Sequence, residues 1–531
     1  MAGTRGHMLK LQGIFFGAVL IFAALAGCAT QPAPYSGTGA AAAWFSRNEW
    51  RTSTPEEQGI DSRGIVKMLE KIVSEDLPVH SFLLIRNGYL VTEAYFTPAE
   101  RDQPHLLYSM TKSVTSALVG IAIGEGIIKG VDQKVLDFFP DIREENADPY
   151  LAGMTIENLL TMSAGYKDIL APAPGTSRDW VREFFNRKIA NTPGSVFLYN
   201  SGCAHVLSAV MQTATGRTLF EYAREKLFTP LGIDSVYWLS DSTGRSIGNS
   251  WMKLRPVDMA KFGCLFLNRG MWNGRRIVPE EWVAQSTARR MDTRGKMNAA
   301  EDDGYGYLWW MNSFGGCSAH GFGGQYIFVL PEFNTVAVFT GGFADPGFPT
   351  SHELMKTFIV PALGAQGPLP KNDESNGALA ALVEKIGRAL ATPCVLPPIA
   401  MEISGKTYTF DPGKTGLKSL TYHFDTGEEY RLVVKSSSGG TERTFEYRGG
   451  LDGAYRTNDD SADPAWTNIV ALKGAWQEDG TFVETDRVTD GVSEQTLTHT
   501  FDANGVQFVH FVESSGGRIV GSGILVGYAE E

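Results

Sequence analysis

Two serine–lysine pairs share the same spacing in this 531-residue chain: Ser109-Met110-Thr111-Lys112 and Ser250-Trp251-Met252-Lys253. On a helix, residues three apart lie on one face, one turn from each other, so either pair could set an amine beside a hydroxyl. A serine hydroxyl is a weak nucleophile and needs a base within hydrogen-bond reach. Lysine can serve only where desolvation or nearby charge favours its neutral form. The chemistry would be acyl transfer to serine and then to water. The spacing alone is a weak signal, and context separates the two pairs. Ser109 opens a run in which Met110, Val114, Ala117, Leu118 and Ile121 recur at helical spacing among mostly small or apolar residues. That pattern predicts a buried helix, whose N-terminus would also offer backbone N–H groups to an oxyanion. Ser250-x-x-Lys253 runs into Leu254-Arg255-Pro256, and proline there argues against a helix. A third candidate, Gly244-Arg245-Ser246-Ile247-Gly248, matches a nucleophile elbow. Such an elbow needs a buried strand before it and a helix after it. Ser240-Asp241-Ser242-Thr243 before it and Asn249-Ser250 after it have loop composition. Ser109 and Lys112 are the expected nucleophile and base.

The elements around them divide the chain. Two apolar runs joined at Asn87-Gly88 predict a hairpin over residues 81–93. Helices are expected at 258–267 and 279–286, and paired strands at 326–331 and 335–340. Residues 364–377 have linker composition, followed by an expected amphipathic helix at 378–391. From about Met401 the pattern becomes short strands with turn signals at Asn504-Gly505 and Gly516-Gly517, which predicts a small antiparallel barrel or sandwich. The expected organisation is therefore a leader (1–28), a tether (29–43), a catalytic domain (44–363), a linker with a short helix (364–400) and a β-rich domain (401–531).

Hydrophobic residues make up 43% of the chain and charged ones 20%, a globular balance. The net charge of −12, with no basic run, excludes the electrostatic footprint of a nucleic-acid binder. Arg5 and Lys10 precede an apolar stretch at 14–26 that is short for a membrane span and ends in Leu25-Ala26-Gly27-Cys28. That ending resembles a bacterial lipobox, which implies lipidation at Cys28, export and a membrane anchor; the Ala-, Pro-, Gly- and Ser-rich stretch after it would be a flexible tether. Cys203, Cys264, Cys317 and Cys394 form no metal-ligand cluster, so no metal or other cofactor is expected. Three disulfide pairings and buried free thiols all remain open.

Beyond the Ser109–Lys112 pair, several stretches carry a family resemblance. Thr155-Ile156-Glu157-Asn158-Leu159-Leu160-Thr161-Met162-Ser163-Ala164-Gly165, Asp258-Met259-Ala260-Lys261-Phe262-Gly263, Asn273-Gly274, Ile277-Val278-Pro279-Glu280-Glu281-Trp282 and Gly304-Tyr305-Gly306-Tyr307-Leu308-Trp309-Trp310 follow in order. Over roughly residues 50–360 the chain resembles the serine β-lactamase and penicillin-binding-protein superfamily, in its class C-like branch. The resemblance implies a β-lactamase/transpeptidase-like α/β fold: an antiparallel sheet flanked by helices plus a helical lobe, with the active site between them. It implies that Tyr199, in Tyr199-Asn200-Ser201, is a second catalytic group, with Ser201 toward the substrate. Tyr-x-Ser is closer to the esterases and nylon-oligomer hydrolases of that superfamily than to true β-lactamases. A neighbouring lysine ammonium would favour the tyrosine phenolate. The superfamily's Lys-Thr-Gly is absent. Ser318-Ala319-His320-Gly321-Phe322 stands at its place, with Gly321 on the glycine, Ala319 for lysine and His320 for threonine. A second register puts His320 at the lysine position. In the first, the N–H groups of Ser109 and Phe322 would form the oxyanion hole, with His320 and Gly321 beside the substrate. Lys414-Thr415-Gly416 follows Pro412-Gly413 and is expected to be a turn. The resemblance thus implies hydrolysis of a small ester or amide. D-amino-acid peptide or β-lactam hydrolysis and non-catalytic binding of wall peptides are the alternatives.

Overall fold

The computed structural model of the protein describes residues 50–530 apart from 146–147, 177, 296–301, 344–348, 365–366, 389–390, 412–415, 439–440, 460–468, 503–504 and 516–517. The expected leader, tether and lipidated Cys28 lie outside the described residues, as do Asn504, Gly516-Gly517, and Lys414-Thr415 of the downstream Lys-Thr-Gly.

The hairpin opens the fold as β1 (Val79–Arg86) and β2 (Tyr89–Tyr95). Asn87 and Gly88 both take positive φ, 53° and 79°, the turn that suits the twist of paired strands. The strands β3 (His105–Leu106), β4 (Val236–Trp238) and β5 (Met252–Leu254) form a small sheet ordered β3-β5-β4. A short hairpin of β6 (Met271–Trp272) and β7 (Arg275–Arg276) follows. Then come β8 (Asp302–Tyr305), β9 (Trp310–Asn312), β10 (Cys317–Gly321), β11 (Gln325–Leu330) and β12 (Thr335–Gly341). The central sheet runs β2-β1-β12-β11-β10-β9-β8, antiparallel throughout.

Both faces of that sheet are covered. Leu83 and Ile85 of β1 join a core shared with the helical lobe, while Phe82 and Leu84 join a second core on the other face. This is why β1 reads as an unbroken apolar run rather than an alternating one. The first core surrounds the helix Thr111–Gly124, in which Thr111 through Ala122 are all buried. The expected helix at 258–267 is Pro256–Leu267, and that at 279–286 is Glu280–Ser286, capped by Pro279.

The expected linker is not a free connection. Its helix spans Asp373–Gly387, starting earlier than the apolar pattern indicated because the Asn372 side chain caps it, accepting from the Ser375 N–H at 3.1 Å. Leu379 and Ile386 then bury this helix in the second core against the catalytic domain.

The C-terminal strands are β13 (Thr407–Phe410), β14 (Leu417–His423), β15 (Glu429–Ser438), β16 (Thr441–Gly450), β17 (Arg456–Asp459), β18 (Ile469–Trp476), β19 (Phe482–Val488), β20 (Ser493–Phe501), β21 (Val506–Ser515) and β22 (Arg518–Ala529). They run β16-β15-β14-β13-β22-β21-β20-β19-β18-β17, and a parallel contact between β16 and β18 closes the sheet into a barrel. Its interior holds a third apolar core centred on Phe482, Tyr422, Tyr430 and Phe424. The fold is thus a β-lactamase-like α/β domain with a C-terminal antiparallel barrel. Among the described residues no helix is long and apolar enough to cross a membrane.

Candidate active site

Strand β3 ends at Leu106, and within two residues the chain turns into a short 3-10 segment, Tyr108–Met110, that runs on into the helix Thr111–Gly124. The reversal is made at Tyr108, whose φ of 47° is left-handed. For a residue with a bulky side chain this conformation costs about 1–3 kcal/mol and persists only where surrounding contacts enforce it. Ser109 follows directly.

Lys112, one turn on, is 1% exposed. Its Nζ lies 2.8 Å from Ser109 Oγ and donates to the Asn249 carbonyl at 3.0 Å. Burial pulls the Lys112 ammonium down to about 7, with the nearby Cys203 acting weakly in the other direction. An amine whose charged form burial disfavours to this extent is poised to be neutral near physiological pH, which is the requirement for a base.

Tyr199 lies just before the helix Ser201–Thr215 and presents a half-buried ring beside Lys112, whose Nζ is 5.0 Å from the ring centroid. Its hydroxyl is within hydrogen-bonding reach of Ser109. The expected phenolate is not supported. Burial pushes the Tyr199 phenol up and outweighs the opposing influence of Ser109, so the neutral phenol is favoured. The same burial that depresses the lysine raises the tyrosine, because each loses its charged form in a poorly solvated site. Trp310 and Tyr305 wall the ring, with centroids 5.6 and 6.2 Å away.

The third side of the site is the end of β10. Gly321 permits a close approach that no other residue could: a Cβ there would sit 2.1 Å from the Leu107 carbonyl oxygen. Phe322 beyond it meets the Tyr108 ring edge-on at 5.6 Å. Gln325 fixes this turn by donating to the Phe322 carbonyl at 3.0 Å and the Gly341 carbonyl at 2.7 Å. Ala319 is fully buried in the core beneath the nucleophile helix. By strand alternation His320 points to the opposite face. There its Nε2 is 3.0 Å from Ser318 Oγ, and its ring packs on Trp310 and Tyr326 at 5.2 and 4.2 Å. Burial holds its pKa well below the usual imidazole value. The structure therefore brings Ser109, Lys112 and Tyr199 together, sets Gly321 and Phe322 against the Leu107–Tyr108 segment that leads into Ser109, and packs His320 on the face of β10 opposite Ala319. Ser201 is half-buried at the first turn of the Ser201–Thr215 helix, two residues from Tyr199.

The rival motifs have structural roles. Ser246 is buried and its Oγ accepts from the Phe220 N–H at 3.1 Å. The Gly248 carbonyl accepts from Thr115 Oγ1 at 2.7 Å, so this loop braces the nucleophile helix. Lys253 lies on a strand and pairs with Asp490 instead of Ser250. Two contributors had gone unnoticed in the sequence. The Asn249 carbonyl is backbone and carries no side-chain signature. Asn200 caps the Ser201–Thr215 helix, accepting from Gly202 N–H at 3.0 Å, and also holds the Leu170 N–H at 3.1 Å. An asparagine one residue ahead of a helix is a capping signal that could have been found. Cys203, Cys264, Cys317 and Cys394 are free thiols. Burial pushes Cys203, beside Lys112, up to about 12, which keeps it an un-ionised thiol. No three His, Cys, Asp or Glu residues are grouped to hold a metal ion among the described residues.

The sequence profile of the family described as Beta-lactamase matches residues 65–347. A 6-aminohexanoate-dimer hydrolase from Paenarthrobacter ureafaciens is 26% identical over 311 residues, covering 54% of this chain and 78% of that protein. Among solved structures, a penicillin-binding protein homolog from Caulobacter crescentus covers 57% of this chain and 97% of its own, with a TM-score of 0.46 and 18% identity. An octameric penicillin-binding protein homologue from Pyrococcus abyssi covers 87% of this chain and 99% of its own, with a TM-score of 0.44 and 17% identity.

Proposed function

The chain belongs to the Beta-lactamase family and is a serine hydrolase of that family, and from that premise we propose that it cleaves uncharged esters or linear amides through an acyl-enzyme on Ser109. Neutral Lys112 takes the Ser109 proton as Oγ attacks the substrate carbonyl carbon, and the carbonyl electron pair moves onto oxygen. The N–H groups of Ser109 and Phe322 are the proposed donors to that oxyanion, a type of stabilisation whose loss typically costs about 10²–10³ in kcat per donor. Collapse re-forms the carbonyl and breaks the bond to the alcohol or amine. The leaving group takes its proton from the Tyr199 phenol, which the Lys112 ammonium reprotonates. Water then attacks the acyl-enzyme carbonyl as Lys112 accepts its proton, and collapse breaks the bond to Ser109 Oγ, which takes that proton back from the Lys112 ammonium as the acid departs. The 2.8 Å approach of Lys112 Nζ to Ser109 Oγ in a setting that favours the neutral amine carries this reading.

The substrate class rests on Ala319 at the position where the superfamily's lysine would stand. A hydrogen bond to a charged group is worth about 1.5–3 kcal/mol, so a substrate carboxylate forgoes roughly 10- to 150-fold in binding that a neutral ester never needed. The 6-aminohexanoate-dimer hydrolase relative supports linear amides as the companion class. Purified protein is expected to hydrolyse short-chain p-nitrophenyl esters with higher kcat/KM than nitrocefin or benzylpenicillin, and a fluorophosphonate probe should label Ser109. Preferential turnover of nitrocefin would overturn the substrate class, and labelling at another residue would overturn the site.

The proposal also fixes a pH dependence. Lys112 acts only when deprotonated, and burial holds it at about 7. The kcat/KM for a non-ionising ester should therefore rise about tenfold per pH unit below that value and level off above it, since this quantity reports free-enzyme ionisations. The raised Tyr199 keeps the phenol intact across that plateau. A profile that falls as pH increases through neutrality would contradict a lysine base.

A further inference from the structure

The turn joining β19 to β20, Thr489-Asp490-Gly491-Val492, leaves the barrel and meets the catalytic domain at the segment that carries the nucleophile. Asp490 Oδ2 accepts from Lys253 Nζ at 2.5 Å, with the two side chains only 2% and 1% exposed. The Asp490 carbonyl accepts from the Leu106 N–H at 2.9 Å, extending the hydrogen bonding of β3. The Tyr108 hydroxyl reaches the same turn, where a Cβ on Gly491 would fall 3.6 Å from it. Val492 also fills the space above Gly323, where a Cβ would fall 2.1 Å from Val492 Cγ1. Contacts from one turn thus reach β3, β5, the left-handed Tyr108 and the loop after β10.

Taking charges out of water is costly, and a buried ion pair fixes geometry more than it adds stability. Here the pair sits where geometry matters: β5 pairs with β3, and β3 leads through Tyr108 to Ser109. We propose that this barrel turn is a positioning element of the active site, with Asp490 as its positioning residue: it tethers Lys253 and Leu106 on the paired strands and, by packing at Gly491, holds Tyr108 in the conformation that directs Ser109 toward Lys112. The barrel is then part of the catalytic apparatus without touching the reacting atoms. This role rests on Ser109 being the nucleophile.

The test uses two variants of the full chain. Asp490→Asn keeps the side-chain shape and the backbone carbonyl but removes the charge. Tyr108→Phe removes only the hydroxyl beside Gly491. Each should lower kcat for p-nitrophenyl butyrate by about tenfold or more with KM within about twofold, as expected for a small misplacement of a reacting group. Amide hydrogen exchange over residues 106–112 should quicken in both, a readout that does not depend on turnover. Wild-type kcat and wild-type exchange in both folded variants would retire this inference alone. A rise in KM at constant kcat would mean that the turn only walls the substrate, and would also overturn it. Absence of Ser109-dependent hydrolysis in the wild type would instead retire the nucleophile assignment, and this role with it.

Discussion

Alanine at position 109 is expected to reduce ester hydrolysis by on the order of 10³-fold or more, because removing the nucleophile forces direct attack by water with only binding and oxyanion stabilisation left. Steady-state kinetics on p-nitrophenyl acetate and butyrate measure this, with fluorophosphonate labelling lost in parallel. Two serines serve as controls with distinct expectations. Ser250→Ala should stay within a few-fold of wild type, since the lysine three residues on belongs to Asp490. Ser246→Ala leaves the Phe220 N–H buried without its acceptor, so it should cost about 1–3 kcal/mol of stability while the folded fraction keeps its kcat. An Ser109→Ala enzyme retaining more than about a tenth of wild-type activity would place the nucleophile elsewhere.

The second large effect concerns the two groups around that serine. Lys112→Ala and Tyr199→Phe should each lower kcat by roughly 10²–10⁴-fold, the usual span for general acid–base groups. Their combination should cost far less than the product of the two. The lysine and the phenol both reach Ser109 and pass the same proton, so once one is missing the other has nothing to relay. The pH profile separates them further. Tyr199→Phe should keep the rise through about pH 7, because Lys112 still titrates there, whereas Lys112→Ala should lose it. Fully multiplicative losses would mean that one of the two groups merely supports the other's packing.

How much of this was legible in the sequence follows from what kind of signal each feature leaves. Ser109 and Lys112 are three residues apart on one helix, so their meeting is a property of local geometry, and the apolar run around them announced the burial that makes the lysine a base. Tyr199 is distant in sequence and was found only through the order of the segments resembling the superfamily. Its protonation was misjudged because a nearby cation was weighed without the desolvation that acts on both partners; burial at that depth is a tertiary fact. Ala319 and His320 lie on β10, where the pleat puts them on opposite faces, Ala319 in the core with the nucleophile helix and His320 against Tyr326, an arrangement that depends on a register the sequence leaves open. The Asn249 carbonyl and the Asp490–Lys253 pair left no trace at all. One is a backbone atom, and the other joins residues 237 positions apart that look like ordinary surface charges until the fold buries them. The expected amphipathic helix at 378–391 is present as Asp373–Gly387, its start shifted by the Asn372 cap, and the docking of Leu379 and Ile386 is a tertiary contact that its pattern alone does not reveal.

The pairing of β1 with β12 has a consequence for how the protein comes into being. Ser81 and Thr340, hydrogen-bonded neighbours in the finished sheet, are separated by 259 positions in the chain. Contacts so remote in sequence must wait for slow loop closure, and chains dominated by them fold slowly. On a ribosome the helix Thr111–Gly124 emerges long before its sheet can close, and the barrel turn arrives later still. A half-made chain therefore has Ser109 and Lys112 in hand but no cleft to hold them. Until the sheet closes, the long apolar helix that carries Lys112 is uncovered, and such exposed apolar surface makes a partly made chain prone to aggregate and a natural client for chaperones.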